Sequence, residues 1–302
     1  MRQIDKIVLS IFVAIFLFSS AEAKKRALTI FVGDYPTTTS GWSQIHSSND
    51  KTIILETLKR IGFQKDNIVC LEDSKATYAA ITKAFKELIQ TCQTGDEVYV
   101  HFSGHGQLIT DMDGDEILRK NRDRYDESFI PYDAYIAYNW NGYMGERHLV
   151  DDELSDYLRE IERKIGKKGY LMVVVDACHS GDIQRIYTEE EEPQFERGSG
   201  DRFDIPPAAR TCQTLPPEPD CIIITACQSF ESNHECKVNG LWYGRLSYAV
   251  SKAWKPGMTQ KSLQDALSEQ FRFLAKTSPL PLGRTQNPVF VESRRYSNRK
   301  LF

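Results

Sequence analysis

The chain has 302 residues, of which 41% are hydrophobic and 26% are charged, and its formal net charge is −4. These values are close to those of an average globular protein, so the chain can bury a large core in one or two domains. No stretch is polybasic enough for a nucleic-acid-binding protein, and that class is excluded.

The first 23 residues have the order of a secretory signal peptide. Charged residues come first, an apolar run covers 7–18, and small residues end the segment at Ala23. The apolar run is short for a membrane span, and no later segment reaches the length that a transmembrane helix requires. We therefore predict that 1–23 is removed and that the mature protein, 24–302, is secreted or periplasmic. A retained N-terminal anchor is the alternative.

Strands and helices alternate after the signal peptide. A strand at 27–32 precedes a helix that Asp50 could cap, and a second strand covers 67–71. A helix at 74–91 then leads to a third strand at 97–102. This rhythm is typical of a parallel sheet with helices on both faces.

The second half of the chain continues the pattern after an interruption. A polar, acidic and aromatic insertion covers 111–148, and a loop at 186–220, rich in Glu, Pro, Gly and Arg, is predicted to be exposed and mobile. The other elements are helices or apolar strands, at 150–164, 171–175, 221–226, 245–254, 261–276 and 288–292. We predict one α/β domain from 24 to 302.

Two short motifs follow the third and fourth strands. The first places His105 between two glycines, and the second places Cys178 two residues after Asp176. In open parallel sheets, ligands bind at the carboxyl ends of the strands. An imidazole that takes the thiol proton gives a reactive thiolate, so His105 and Cys178 are predicted to form a catalytic dyad. The amides of Gly106 and Cys178 could hold the oxyanion.

The same residues are compatible with other functions. Cys178 alone could be a buried structural cysteine, and Cys178, His179 and His105 could bind a metal, although adjacent Cys and His do not match ordinary zinc-ligand spacing. Seven cysteines are an odd number for an exported chain, so a catalytic Cys178 would be the unpaired one. The other six could form up to three disulfides, and the sequence does not fix their pairing.

The motifs Ser-Gly-His-Gly at 103–106 and Asp-Ala-Cys-His-Ser-Gly at 176–181, each after an apolar strand, resemble those of caspase-like cysteine peptidases, and within them the metacaspases. The resemblance implies the caspase/hemoglobinase fold, a three-layer sandwich with a central, mostly parallel six-stranded sheet. It also implies an endopeptidase whose His/Cys dyad requires no cofactor. A gingipain- or legumain-type peptidase and a catalytically silent binding protein of the same fold are alternatives.

The resemblance further implies an acidic specificity pocket formed by Asp50, Ser103 and Asp176. Two carboxylates in a narrow pocket would bind an Arg or Lys side chain through charge-assisted hydrogen bonds. We therefore predict cleavage of peptides and proteins after Arg or Lys. A carboxylate two residues from a thiolate should oppose its ionisation, which favours a pocket function for Asp176.

Calcium is the one activating ion that the resemblance suggests. Asp126, Asp151 and Asp152 match three of four family positions, and Arg185 stands in place of the fourth carboxylate. Three carboxylates could bind calcium together with carbonyls and waters, because that ion takes six to eight oxygens. Arg185 could instead neutralise the cluster and make the activity independent of metal.

The acidic segment at 111–116 has a weak similarity to an EF-hand loop. Its twelfth position is Arg122 rather than the Glu that such loops need. The segment is therefore predicted to be a solvated acidic loop.

The loop at 186–220 follows the predicted nucleophile closely. Exposed segments of small and polar residues are preferred sites of proteolysis. We hypothesise that the enzyme cleaves itself there after an arginine, and the candidates are Arg185, Arg197, Arg202 and Arg210.

Overall fold

A computed structural model describes residues 23–116, 118, 124–178, 195–206, 215, 217–297 and 299–302. The predicted signal peptide up to residue 22 lies outside the described residues, as do His179, Arg185 and Arg210. None of the helices within those ranges is long and apolar enough to cross a membrane.

Strands and helices alternate along the chain much as the sequence predicts. The strands are β1 (Lys25–Phe31), β2 (Ile68–Glu72), β3 (Glu97–Ser103), β4 (Gly106–Thr110), β5 (Tyr125–Phe129), β6 (Leu149–Val150), β7 (Tyr170–Asp176), β8 (Ile222–Thr225), β9 (Glu235–Val238), β10 (Leu241–Gly244) and β11 (Val289–Val291). The helices are α1 (Thr37–Ser40), α2 (Ser47–Arg60), α3 (Tyr78–Thr91), α4 (Asp151–Ile165), α5 (Arg245–Ala253) and α6 (Gln260–Thr277).

Six strands form the central sheet in the order β11-β8-β7-β3-β1-β2. Five of them run parallel, and β11 pairs antiparallel with β8 at the edge. The predicted α/β class, with a mostly parallel six-stranded sheet, is confirmed.

The sheet separates two apolar cores. Along β7, Leu171, Val173 and Val175 pack on the side of α3 and α4, whereas Met172 and Val174 pack on the side of α2, α5 and α6. A parallel strand with apolar residues on both faces needs both faces of its sheet covered, which helices do in α/β proteins. The three-layer arrangement therefore follows from the composition of this strand.

Two smaller sheets lie outside the central one. Strands β4, β5 and β6 form an antiparallel sheet in and next to the acidic insertion. Strands β9 and β10 form a hairpin whose turn residues, Asn239 and Gly240, have φ values of 52° and 84°. Asn-Gly is the preferred pair for such a turn.

The described part of the predicted exposed loop is packed against the domain at some residues and exposed at others, among them Asp201, Arg202 and Asp204. Residues 198–205 lie along β4, with bridges from Gly106 to Gly198 and from Ile109 to Phe203. Arg197 and Phe203 are fully buried. For Arg197 and Phe203 alone the prediction of exposure is wrong, because Phe203 fills an apolar core and Arg197 enters a pocket described below.

The cysteines that the structure describes form no disulfide. The three disulfides that the sequence allows at most are therefore not formed among these cysteines. These free cysteines are Cys70, Cys92, Cys178, Cys221, Cys227 and Cys236.

Candidate active site

His105 and Cys178 stand at matching positions beyond two neighbouring strands. The pairing of β3 with β7 ends at Ser103 opposite Asp176, and each candidate follows two residues later. The Gly104 amide donates to the Asp176 carbonyl at 3.3 Å, and this bond extends the pairing of the two chain segments beyond the strands. Both candidate side chains are buried. The sheet register thus brings the two predicted residues to the same point of its carboxyl edge.

The environment of His105 fixes its tautomer. Its Nε2 lies 2.8 Å from the Ser43 carbonyl oxygen, which can only accept, so Nε2 carries the proton. Nδ1 then has a free lone pair, and it has no hydrogen-bond partner among the described residues. The ring stacks on Trp42 at 5.0 Å. Burial lowers the pKa of His105 to about 4, which keeps the ring neutral and able to accept a proton at neutral pH.

The thiol of Cys178 is a hydrogen-bond donor in this conformation. Its Sγ lies 3.1 Å from the Glu231 carbonyl oxygen, which can only accept. A hydrogen bond with Cys178 also raises the pKa of the nearby Cys227 thiol. The Cys178 thiol must lose its proton before it can act as a nucleophile.

The segment at 195–197 binds next to these residues like an added strand. The Arg197 amide donates to the Asn233 carbonyl at 2.9 Å, and the Glu235 amide donates to the Phe195 carbonyl at 2.9 Å. This antiparallel pairing is the way in which many proteases and peptide-binding domains hold an extended peptide.

The carbonyl of Arg197 occupies the predicted oxyanion position. Its oxygen accepts from the Cys178 amide at 2.8 Å and from the Gly106 amide at 3.3 Å. Gly198 lies so close that a Cβ there would be 2.5 Å from the Cys178 carbonyl oxygen and 3.1 Å from the Cys178 Cβ. The peptide bond between Arg197 and Gly198 therefore lies directly against the candidate nucleophile.

The side chain of Arg197 fills the predicted acidic pocket. Its Nη1 donates to Asp50 Oδ2 and to Ser103 Oγ, both at 2.7 Å, and lies 3.8 Å from Asp176 Oδ2. All four side chains are fully buried. The structure thus brings Asp50, Ser103 and Asp176 together around a guanidinium group.

Two backbone features hold this pocket open. Asp50 lies in the first turn of α2 but does not cap it, and its Oδ1 instead accepts from the Gly244 amide at 3.0 Å. A Cβ on Gly244 would lie 2.2 Å from Asp176 Oδ2 and 2.4 Å from Arg197 Nη1. Glycine at this position therefore leaves the space that the bound guanidinium needs.

Glu235 is a third pocket carboxylate, which the sequence analysis missed. Its Oε1 accepts from Arg197 Nε at 3.2 Å and from Arg197 Nη2 at 2.8 Å. Its position is fixed by His46, whose amide donates to Oε1 at 2.8 Å and whose Nδ1 lies 2.5 Å from Oε2. The Asn239-Gly240 turn, which places β9 in a hairpin, was the sequence signal for this element.

The charged groups of the pocket shift the pKa values of one another. Burial, together with Asp176 and Glu235, raises the pKa of Asp50 to about 7, although Arg197 acts in the opposite direction. The pKa of Arg197 is raised because Asp50, Asp176 and Glu235 outweigh the effect of its burial. A pocket with three carboxylates strongly favours a cationic side chain.

The predicted calcium residues lie at the far end of β4. Oxygens of Asp126 and Asp152 lie within 4.8 Å of each other and of an oxygen of Asp115, whereas Asp151 belongs to no such group among the residues described. Burial and the neighbouring carboxylates of Asp111 and Asp152 raise the pKa of Asp126 to about 8. Clustered carboxylate oxygens of this kind fit a hard divalent cation such as calcium.

The sequence of the chain is similar to those of known metacaspases. The model of the metacaspase, peptidase C14 domain family matches residues 25–186. Metacaspase-1B of Aspergillus fumigatus is 26% identical over 316 residues, which cover 91% of this chain and 73% of its own length. Metacaspase-1 of Cryptococcus neoformans is 30% identical over 202 residues, which cover 61% of this chain and 40% of its own.

A solved structure supports the fold. A crystallised protein of Geobacter sulfurreducens superposes with a TM-score of 0.59 and covers 92% of this chain and 100% of its own. Its sequence identity of 17% limits the comparison to the fold.

Proposed function

Because this chain belongs to the metacaspase family and is a cysteine endopeptidase, we propose that it cleaves peptide bonds after Arg or Lys, with His105 and Cys178 as its dyad. The proposal rests on the position of Arg197 in the active site. Its guanidinium is bound by the buried carboxylates while its carbonyl oxygen lies on the amides of Cys178 and Gly106. A substrate with Arg at the cleaved bond would bind in the same way.

The proposed reaction uses both residues of the dyad. Nδ1 of His105 takes the proton of the Cys178 thiol, and the thiolate attacks the carbonyl carbon before the scissile bond. The amides of Cys178 and Gly106 donate to the resulting oxyanion. His105 then gives its proton to the leaving amine, a thioester remains on Cys178, and water hydrolyses it with His105 as the general base.

The same geometry selects one bond for self-cleavage. Of the four arginines proposed from the sequence, the described ones are Arg197, which is fully buried in the pocket, and Arg202, whose guanidinium stacks on the Tyr125 ring at 4.4 Å. We place self-cleavage between Arg197 and Gly198. Until this bond is cut, Arg197 occupies the pocket that other substrates need.

Two further parts of the proposal concern location and activation. The composition of 1–23 supports export, so that the enzyme acts in a secreted or periplasmic location. The carboxylates of Asp126 and Asp152, together with the neighbouring Asp151, support calcium as an activator.

The test uses reporter peptides that copy residues 195–197. The Phe195 ring contacts His46 and Trp242 with centroid distances of 4.6 and 5.1 Å, so Phe-Glu-Arg retains these contacts. We expect the processed enzyme to cleave the Arg-ending reporter at least about 10³-fold more efficiently than Phe-Glu-Asp. The aspartate of the second reporter would face the pocket carboxylates, and like charges placed next to each other cost several kcal/mol. Faster cleavage of the Asp-ending reporter, with or without calcium, would refute the proposal.

Self-cleavage is expected to slow as the pH falls below 7. The pKa of Asp50 in the occupied pocket is about 7, so a falling pH protonates this carboxyl and removes a charge that holds Arg197. His105 remains neutral over this range because its pKa is about 4. The rate of loss of the intact chain, measured on either side of pH 7, gives the apparent pKa. If the Asp50→Asn protein shows the same decrease, the titrating group is another one.

A further inference from the structure

The two residues before Arg197 contact side chains that have no part in the proposed reaction. Glu196 forms an antiparallel bridge with His234, between the two hydrogen bonds that join the segment at 195–197 to Asn233 and Glu235. Directly opposed residues of an antiparallel pair have their side chains on the same face and within reach of each other. A substrate bound in place of this segment would therefore present the residue before its Arg or Lys to His234.

His234 is buried, and its ring nitrogens are unpaired. The side chain is 1% exposed, and neither Nδ1 nor Nε2 has a hydrogen-bond partner in the described part of the chain. The position of the residue is fixed by its backbone, because the His234 amide donates to Gln286 Oε1 at 3.0 Å. Buried polar atoms are normally paired. An unpaired imidazole beside a bound peptide is therefore a group that a ligand can use.

The surroundings of His234 favour a negative charge. Burial, followed by the charges of Arg245 and Arg284, lowers the pKa of His234 to about 4, so the ring is neutral at neutral pH and offers one N–H donor. The two guanidinium groups add positive potential at this position. His234 Nε2 lies 3.7 Å from Glu196 Oε1, a gap that one bridging water can span. The contact thus joins a neutral donor to a carboxylate in a positive field.

Phe195 occupies an aromatic site one residue earlier. Its ring lies edge-on to the rings of His46 and Trp242, with interplanar angles of 83° and 72°. Aromatic pairs favour this edge-to-face arrangement. The His46 ring is itself oriented by Glu235, whose Oε2 lies 2.5 Å from His46 Nδ1. The aromatic site is therefore built against the wall of the pocket for the basic side chain.

We propose that the enzyme recognises three consecutive residues, an aromatic, an acidic and a basic one, and that His234 selects the acidic side chain. The proposal rests on the proposed function, because it extends the same substrate seat by two residues. The preferred substrate is a peptide or protein with an extended aromatic–acidic–Arg or aromatic–acidic–Lys segment. His234 binds this substrate and takes no part in proton transfer.

Four reporter peptides with one common leaving group test the proposal. They end in Phe-Glu-Arg, Phe-Gln-Arg, Phe-Lys-Arg and Ala-Glu-Arg. We expect the processed enzyme to cleave Phe-Glu-Arg about tenfold more efficiently than Phe-Gln-Arg, because hydrogen bonds to charged groups are stronger than those to neutral ones. Phe-Lys-Arg should be slower still, since its ammonium would face Arg245 and Arg284. Loss of the ring contacts should make Ala-Glu-Arg about tenfold slower than Phe-Glu-Arg.

Two enzyme variants assign the subsites. His234→Phe keeps a flat ring and removes no hydrogen bond within the described chain, because neither ring nitrogen has a partner there. We expect it to lower the preference for Phe-Glu-Arg over Phe-Gln-Arg to about threefold or less. Trp242→Ala is the matched variant. It should lower the preference for Phe-Glu-Arg over Ala-Glu-Arg and leave the preference for Glu over Gln unchanged.

Equal cleavage of Phe-Glu-Arg and Phe-Gln-Arg by the wild-type enzyme would overturn the proposal, whatever the stability of the variants. A wild-type preference for Glu over Gln in the His234→Phe enzyme would also overturn it, because another residue would then select the acidic side chain. In both cases cleavage after Arg continues and the proposed function stands. Failure of the proposed function has a different signature, which is faster cleavage of the Phe-Glu-Asp reporter.

Discussion

The Cys178→Ala and Arg197→Gln proteins are expected to remain single chains under conditions in which the wild-type protein divides into two fragments. The first substitution removes the nucleophile, and loss of such a group typically lowers the rate of a peptidase by about 10⁴-fold or more. The second removes the guanidinium that binds Asp50, Ser103 and Glu235. Intact mass of the three proteins after the same incubation measures the effect.

The neighbouring positions provide matched controls. Arg202 lies five residues further on, outside the pocket, so Arg202→Gln should divide like the wild type. Gly198→Ala should slow self-cleavage, because its Cβ would lie 2.5 Å from the Cys178 carbonyl oxygen and displace the peptide bond. Equal fragmentation of the wild-type and Cys178→Ala proteins would mean that another protease makes the cut.

The intramolecular contacts also predict the order of the reaction. Arg197 reaches the pocket of its own chain, so the first-order rate of self-cleavage should not depend on protein concentration. A rate that rises in proportion to concentration would show that one molecule cuts another, and the occupied pocket would then not be the reacting state.

The Glu235→Gln protein is expected to lose most of its preference for Arg over Lys. Glu235 accepts from Arg197 Nε and Nη2 at 3.2 and 2.8 Å. A lysine has a methylene at the position of Nε and offers one ammonium in place of the fork, so it cannot make this pair of contacts. Removal of one partner of a buried charge pair costs about 3–4 kcal/mol. For the Arg reporter this corresponds to a decrease in kcat/KM of roughly 10²- to 10³-fold.

Asp50→Asn is the matched comparison for this second experiment. Asp50 contacts Nη1 and acts mainly through its charge, so its replacement should lower cleavage of Arg- and Lys-ending reporters together. Reporters that end in Phe-Glu-Arg and Phe-Glu-Lys give both values from the same enzyme preparation. If Glu235→Gln lowers both rates equally, Glu235 contributes charge but no selectivity.

The candidate site residues that the sequence analysis proposed and that the structure brings together are placed by short-range features of the chain. His105, Cys178, Ser103 and Asp176 follow apolar strands directly, and parallel pairing of β3 with β7 is enough to bring them to one edge. Asp50 belongs to the adjacent helix α2. Local motifs and the order of the elements therefore carry most of this information.

The features of the site that the sequence did not predict depend on contacts between residues far apart in the chain, or on backbone carbonyl groups. Glu235 reaches the pocket from a hairpin, and the acceptor that orients His105 is the Ser43 carbonyl, which every residue type possesses. Arg197 could not be distinguished from other arginines of a polar loop, because its burial depends on pairing with Asn233. Asp111 and Asp115 were expected in solvent because no local pattern predicts burial of a carboxylate.

The central claim is that Arg197 is seated in the active site as a substrate, and the N-terminal sequence of the smaller wild-type fragment tests it most directly. We predict that this fragment begins at Gly198, followed by Ser-Gly-Asp-Arg, and that it is missing from the Cys178→Ala and Arg197→Gln proteins. A first cut that leaves the bond between Arg197 and Gly198 intact, with the new terminus at another position, would contradict the claim.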